Sequence, residues 1–314
     1  MRNYCAYGNI VVLFCFGLFT VTLMEDSNTV EFVYVPASKQ PCIVMVKTLK
    51  KNTFCTGALL TPSWVLMAAH CAEGEEDSSI RVYVRKVPES GNDTESYQEI
   101  VSESFIIPWG YMLQQTFGKS DIALVDIGSK FNWSSVPGGF TRCPVPTSVV
   151  HPILETECNV VGFNLTHNST TFPDAQMPLV IYHLRVQKQC VDYYNIVEKT
   201  NLLYRSWLCQ EDYKRVNEQF SFSESLLFCG VDQPVLSGLA IGRLQSPDEN
   251  NPRPLVFTDM CPYLTWIRAY VGPSVMRSPG DQGSGCYVSF GQPPISVTFI
   301  VLVSSALVSL QLHL

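Results

Sequence analysis

The chain of 314 residues is 46% hydrophobic and only 16% charged, with 12 cysteines, a globular composition that excludes disorder and collagen-like structure. Its formal net charge is −7 and no Lys/Arg block occurs anywhere, so the electrostatic footprint of a nucleic-acid binder is missing and no nucleic-acid partner is expected.

The first element is an apolar run, Ile10–Met24 (IVVLFCFGLFTVTLM), closed at once by Glu25 and Asp26. At about 15 residues it is short for a membrane span and fits the hydrophobic stretch of a signal peptide, assigned to residues 1–24, with an uncleaved anchor as the other reading. A secretory leader places the rest of the chain where cysteines form disulfides, and Cys5 and Cys15 leave with it. Asn92 (NDT), Asn132 (NWS), Asn164 (NLT) and Asn168 (NST) are candidate glycosylation sites on the same route.

Short β-rich runs then recur: Cys42–Thr48, Phe54–Leu60, Trp64–Ala68, Ile80–Arg85, Ile122–Ile127, Cys158–Phe163, Leu179–Gln187, Val235–Gly242 and Leu255–Thr258. Turn-rich stretches separate them. A helical period appears only at the end, where PYLTWIRAYV sets Leu264, Ile267 and Val271 three and four residues apart. The expectation is an all-β fold with one C-terminal helix in roughly 240 residues, a size at which barrels form one compact unit. His151, His167 and His183 have no metal-ligand spacing, so neither metal nor cofactor is expected.

Residues 273–294 read as a linker and residues 295–314 as a hydrophobic tail. The tail is long enough to cross a bilayer, yet no Lys or Arg follows Arg277, whereas a stop-transfer helix carries basic residues on its cytoplasmic side. Gly283, Ser284 and Gly285, a spacer to Pro294 and then the apolar tail form the layout of a GPI attachment signal. A lipid anchor and a single C-terminal span both place the globular part on the extracellular face of the plasma membrane. A secreted product is the third reading, and in all three the globular part lies outside the cytosol.

At FCTGALLTPSWVLMAAHC, residues 54–71, the sequence resembles the chymotrypsin-like (trypsin-like) serine proteases, whose catalytic histidine lies in an AAHC motif. DIAL at Asp121–Leu124 resembles the segment holding that family's catalytic aspartate, and LVFTDMCPYLTWI at Leu255–Ile267 its closing strand and helix. The resemblance implies two six-stranded antiparallel β-barrels of chymotrypsin type with a C-terminal helix over residues 30–272, barrel one spanning 40–140 and barrel two 141–272. It also implies the disulfides Cys55–Cys71, Cys190–Cys209 and Cys158–Cys229. Counted back from Cys229, SFSESLLFC overlays the family's GDSGGPLVC and sets Ser223 at the nucleophile's place, with His70 and Asp121 as the rest of the triad. A rival register puts CGVDQP, and so Gln233, on the motif and leaves Cys158 unpaired. GDQGSG at Gly280–Gly285 looks similar but follows the terminal helix, beyond reach of His70. Cys42, Cys143, Cys261 and Cys286 stay unassigned; a Cys42–Cys143 or a Cys143–Cys261 bridge fits.

Serine chemistry needs a base, an orienting carboxylate and two backbone N–H groups for the oxyanion. His70, Asp121 and Ser223 formally supply the first parts, but Ser221 stands where the oxyanion glycine should be and Glu224 where the next glycine should be. A carboxylate about 5 Å from a developing oxyanion costs roughly 3 kcal/mol at an effective dielectric of about 20, or two to three powers of ten in rate. The aspartate that receives the family's new N-terminal ammonium is Phe222 here, and Lys39 is the only basic residue between Met24 and Pro41. Asn217 replaces the acidic pocket floor of trypsin-like members, and Ala240-Ile241-Gly242 replaces the Ser-Trp-Gly segment that aligns substrate. The sequence therefore points to an inactive family member acting as a cell-surface binding protein for an extracellular protein partner. The family's anchored and inactive paralogues in reproductive tissue imply a role in sperm or reproductive function. The alternative is a weakly active serine endopeptidase using His70, Asp121 and Ser223.

Overall fold

A computed structural model of the chain describes residues 10–14, 17–21, 32–86, 96–109, 111, 120–129, 131–136, 139–146, 156–163, 179–187, 207–210, 224–230, 234–243 and 254–272. Ser223, Cys190, Cys286, Asn92, Asn164, Asn168, the 273–294 linker and the 295–314 tail lie outside the described residues. Towards the N-terminus, β1 (Ile10–Phe14) and β2 (Gly17–Val21) pair as an antiparallel hairpin that, among the described residues, joins neither barrel. Among the described residues no helix is long and apolar enough to cross a membrane.

The next strand, β3 (Phe32–Val35), belongs to the second sheet. The first is built from β4 (Ile43–Thr48), β5 (Thr53–Thr61), β6 (Trp64–Met67), β7 (Ile80–Lys86), β8 (Ser96–Val101), β9 (Ser104–Ile106) and β10 (Ala123–Asp126), in the order β8-β7-β4-β5-β6-β10-β9. A single helical turn, α1 (Ala69–Ala72), follows β6, so the strand expected to run to Ala68 stops at Met67. The described strands make a half-barrel whose two edges, β8 and β9, do not pair with each other.

The second sheet contains β11 (Thr156–Phe163), β12 (Leu179–Gln187), β13 (Trp207–Gln210), β14 (Leu226–Cys229), β15 (Val235–Arg243) and β16 (Leu255–Asp259). Their order is β11-β14-β15-β16-β13-β12, and β12 pairs again with β11, which closes a six-stranded barrel. The edge of β12 beyond that closure takes β3, with Val35 opposite Leu179. The terminal helix, α2 (Leu264–Val271), buries Leu264, Ile267 and Val271 on one face, the three-and-four spacing read from sequence. The architecture is thus the expected all-β pair of barrels with a C-terminal helix, one barrel closed and the other half-open.

Period-two alternation explains why barrel one's strands are apolar on both faces. Along β4, Val44 and Val46 point into one core cluster with Leu59, Val65, Met67, Ala123 and Val125. Their neighbours Ile43 and Met45 point the other way, into a cluster shared with the barrel-two residues Val160, Leu226 and Phe257. One face fills barrel one and the other packs on barrel two, so neither face needs polar side chains. The disulfide Cys42–Cys143 ties the start of β4 to the segment between the barrels, which settles the pairing left open above and removes Cys143–Cys261. Cys55–Cys71 and Cys158–Cys229 are also bonded. Cys209 and Cys261 are disulfide-bonded as well.

Candidate active site

His70 is placed by three local constraints. β6 delivers it to the barrel junction, α1 turns the chain so that Ala69, Cys71 and Ala72 face the core, and Cys71 is bonded to Cys55 of β5. Lys51, at the β4–β5 turn, donates through Nζ to the His70 carbonyl at 2.9 Å. That turn is itself held by the buried Glu75, whose carboxylate accepts from the Lys50 and Lys51 amides at 3.1 and 2.9 Å and from the Ser79 hydroxyl at 2.6 Å.

Asp121 lies just before β10, which pairs with β6, so the register of two strands brings a carboxylate to a histidine 51 residues away. The His70 amide donates to Asp121 Oδ1 at 2.8 Å, and His70 Nδ1 lies 2.7 Å from Oδ2. Asp121 is 1% exposed, so this carboxylate is desolvated and the histidine is its partner. Barrel two holds the same segment from the other side. The Thr258 hydroxyl of β16 donates to the Asp121 carbonyl at 3.2 Å, and the Tyr263 hydroxyl bonds the Ser120 hydroxyl at 2.9 Å. Ser120 has φ 59°, a left-handed conformation uncommon for a residue with a side chain.

The third wall comes from the chain entering β14. The Thr56 amide of β5 donates to the Glu224 carbonyl at 3.0 Å, and the Thr56 hydroxyl accepts from the Phe163 amide at 3.3 Å. Glu224 follows Ser223 directly, so the main chain leaving the position that the alignment gives to the nucleophile is pinned to barrel one, with a carboxylate where that alignment expects a glycine. Burial lowers the His70 pKa, but the hydrogen bond and charge of Asp121 and the charge of Glu224 outweigh burial and Lys51 and hold it above the ordinary value. The negative charges of Asp121 and Glu224 thus favour the protonated imidazole relative to a histidine exposed to water. Among the described residues His70 Nε2, the atom that would face a nucleophile, is buried with no hydrogen-bond partner. The Tyr111 hydroxyl is buried without a partner too, and burial, then the charges of Asp121 and Glu73, raise its pKa.

The site therefore unites His70, Asp121 and Glu224. Lys51, Tyr111, Thr258 and Ser120 were missed in the sequence, because a lone polar residue in a turn or strand carries no spacing signal. Asn132 is exposed, ahead of a 3-10 turn. His183 sits outside the site on β12, its Nε2 2.6 Å from Glu157 and its Nδ1 3.2 Å from Asn159. Cys158 and Cys229, the pair on which the Ser223 alignment rests, also face each other across β11 and β14.

The family model described as trypsin matches residues 30–267. Ovochymase of Halocynthia roretzi is 26% identical over 75% of this chain, which spans only 15% of ovochymase. Alpha- and beta-fibrinogenase OhS1 of Ophiophagus hannah is 25% identical, over 73% of this chain and 81% of its own. Tryptase of Mus musculus is 26% identical, over 69% and 78%. Among solved structures, the scabies mite inactivated protease paralogue S-I1 superposes with a TM-score of 0.54 at 19% identity, covering 76% of this chain and 97% of that one. Paralogue S-D1 gives 0.50 at 18%, covering 76% and 94%. With two packed barrels, a paired His70 and Asp121 at their junction and a family match over most of its length, the chain belongs to the trypsin family.

Proposed function

We propose that this protein is a catalytically silent trypsin-family member that acts by binding an extracellular protein from the outer face of the plasma membrane, in sperm or reproductive function. The observation that carries the first part is Glu224, whose main chain is bonded to Thr56 of barrel one and whose negative charge raises the His70 pKa. Its charge falls on the imidazole, opposes an oxyanion and stands where the family's chemistry needs a bare glycine. The absence of GDSGGP and of a basic activation site supports the same reading. So does the occurrence of inactivated protease paralogues among structures of this fold. The leader, the sequons and the apolar tail support the surface location.

The intact His70–Asp121 geometry favours a second reading, a weak endopeptidase with Ser223 as nucleophile. A fluorophosphonate probe applied to the full-length protein on cells, before and after trypsin treatment and beside Ser223→Ala, separates the two. We expect no labelling in any form. Labelling that disappears in Ser223→Ala would establish the enzyme and end the binding-only reading.

A further inference from the structure

β6 and β10 run antiparallel, with Ala123 opposite Met67 and Asp126 opposite Trp64. His70 and Asp121 therefore lie at one end of this strand pair, and Trp64 and Asp126 at the other. Two features gather at the far end. The first is the close of α2: the Tyr270 ring lies 6.5 Å from the Trp64 ring, and the chain leaves the barrels at Gly272, two residues on. The second is the Asn132 sequon. The Trp133 indole donates to the Pro62 carbonyl at 3.1 Å and the Ile127 amide to the Ser63 carbonyl at 2.8 Å, both in the β5–β6 turn just before Trp64. Trp133 is held edge-on by Phe131 at 4.6 Å and Phe140 at 5.1 Å. Asn132 itself is exposed, with its side-chain oxygen accepting from the Ser134 amide.

We propose that Asn132 carries an N-linked glycan and that glycan and membrane tether leave the protein at this same end, so that the His70 end faces outward and takes its partner in trans. The proposal rests on the tethered reading given above. The 12 residues from Gly272 to Ser284 reach at most about 40 Å when extended. A domain of about 240 residues is roughly 45 Å across. A lipid anchor attached at Ser284 thus holds the Gly272 end near the bilayer, and a glycan beside it further crowds that end. A partner in the same membrane would have to approach through both. A partner on an opposing surface meets the His70, Glu73 and Lys51 end first.

The test displays the full chain on mammalian cells with one epitope tag inserted after Gly74 or after Gly139. Gly74 follows α1 at the His70 end, Gly139 precedes Phe140 at the other, and a side chain at either would meet open space. Resistance of the surface-biotinylated protein to endoglycosidase H establishes that each insertion folds and leaves the endoplasmic reticulum. Anti-tag immunoglobulin on intact cells is expected to stain the Gly74 insertion several-fold more than the Gly139 insertion. Asn132→Gln is expected to remove one peptide-N-glycosidase-sensitive step in mobility, and Ser134→Ala, which spares the Asn132 side chain, to do the same. Equal staining, or stronger staining at Gly139, overturns the orientation, and unchanged mobility in both variants overturns the glycan. Tag recovered only in the medium or inside the cell is a different failure, that of the tether itself, and takes the orientation with it.

Discussion

At the scale of single residues the site is governed by three charges. Asp121 is desolvated and bonded twice to His70, and Glu224 adds negative potential from the neighbouring barrel. Because the folded-state pKa of His70 lies above its ordinary value, the native state binds that proton more tightly than the unfolded chain does. The stability it contributes is complete below about pH 6.5 and is lost as pH rises through the raised value. Replacing Glu224 by Gln removes one of the raising charges, so the His70 ring protons followed by NMR should titrate at lower pH in that variant. An unchanged midpoint would mean that Glu224 does not address His70 and that the main argument against catalysis is misplaced. Glu75 behaves in the opposite sense. Burial raises its pKa, but the Ser79 hydroxyl and the Lys51 and Lys50 amides outweigh burial and hold it low, so its contribution is present at neutral pH and lost as pH falls through the lowered value. Glu75→Ala leaves the Lys50 and Lys51 amides without their acceptor and should cost about 1–3 kcal/mol in urea denaturation at pH 7. The loss should shrink in acid, where the wild-type carboxylate is protonated as well.

At the scale of elements, the residues that could be read ahead of the structure were those in apolar or alternating runs. CIVMVKT and WVLM announced themselves as β4 and β6 because barrel packing leaves no polar face to break the run, and LVIYHLRVQ as β12 because buried Val180, Tyr182, Leu184 and Val186 alternate with the more exposed Ile181, His183 and Arg185. The barrel strands that escaped notice are of two kinds. Ser96–Val101 and Ser104–Ile106 are edges of the half-barrel, one with a mixed composition and the other very short. Phe32–Val35, Trp207–Gln210 and Leu226–Cys229 have only four residues each, and their conformation comes from the strand they pair with rather than from a pattern of their own. In the site, His70 and Asp121 were legible because each sits in a motif, whereas Thr258 and Ser120 act only through contacts across the barrel junction. Close approach of backbones makes a prediction here. A Cβ on Gly238 of β15 would lie 2.9 Å from the Thr258 carbonyl, the residue whose hydroxyl holds Asp121, and a backbone oxygen cannot yield as a side-chain tip can. Gly238→Ala should therefore lower stability by about 1–3 kcal/mol, seen as a fall in Tm, while Ala at Gly139, with open space around it, is strained only by its φ of 74°. A Tm for Gly238→Ala equal to that of the unaltered protein would show that β15 and β16 can separate at no cost.

At the scale of the whole molecule the question is what keeps the two barrels together. Apolar faces of β4, β6 and β10 supply most of the contact, and polar links among the described residues include Thr56 to Glu224 and Phe163, Thr258 to Asp121, Tyr263 to Ser120, and the Leu236 amide to the Pro144 carbonyl at 2.8 Å. Cys42–Cys143 fixes the segment that bears Pro144 onto the start of β4, where the Cys143 amide also donates to the Leu59 carbonyl at 2.8 Å. This bridge closes a loop of 101 residues, against 16 for Cys55–Cys71. If loop closure in the unfolded chain sets the value of a disulfide, the long loop contributes about 4.7 kcal/mol and the short one about 3. The paired substitution Cys42→Ser with Cys143→Ser should thus lower the urea midpoint further than Cys55→Ser with Cys71→Ser. The reverse order would carry its own meaning. It would show that the short bridge is valued for the native geometry it imposes on His70, and that the His70–Asp121 pair is held in shape by more than loop closure.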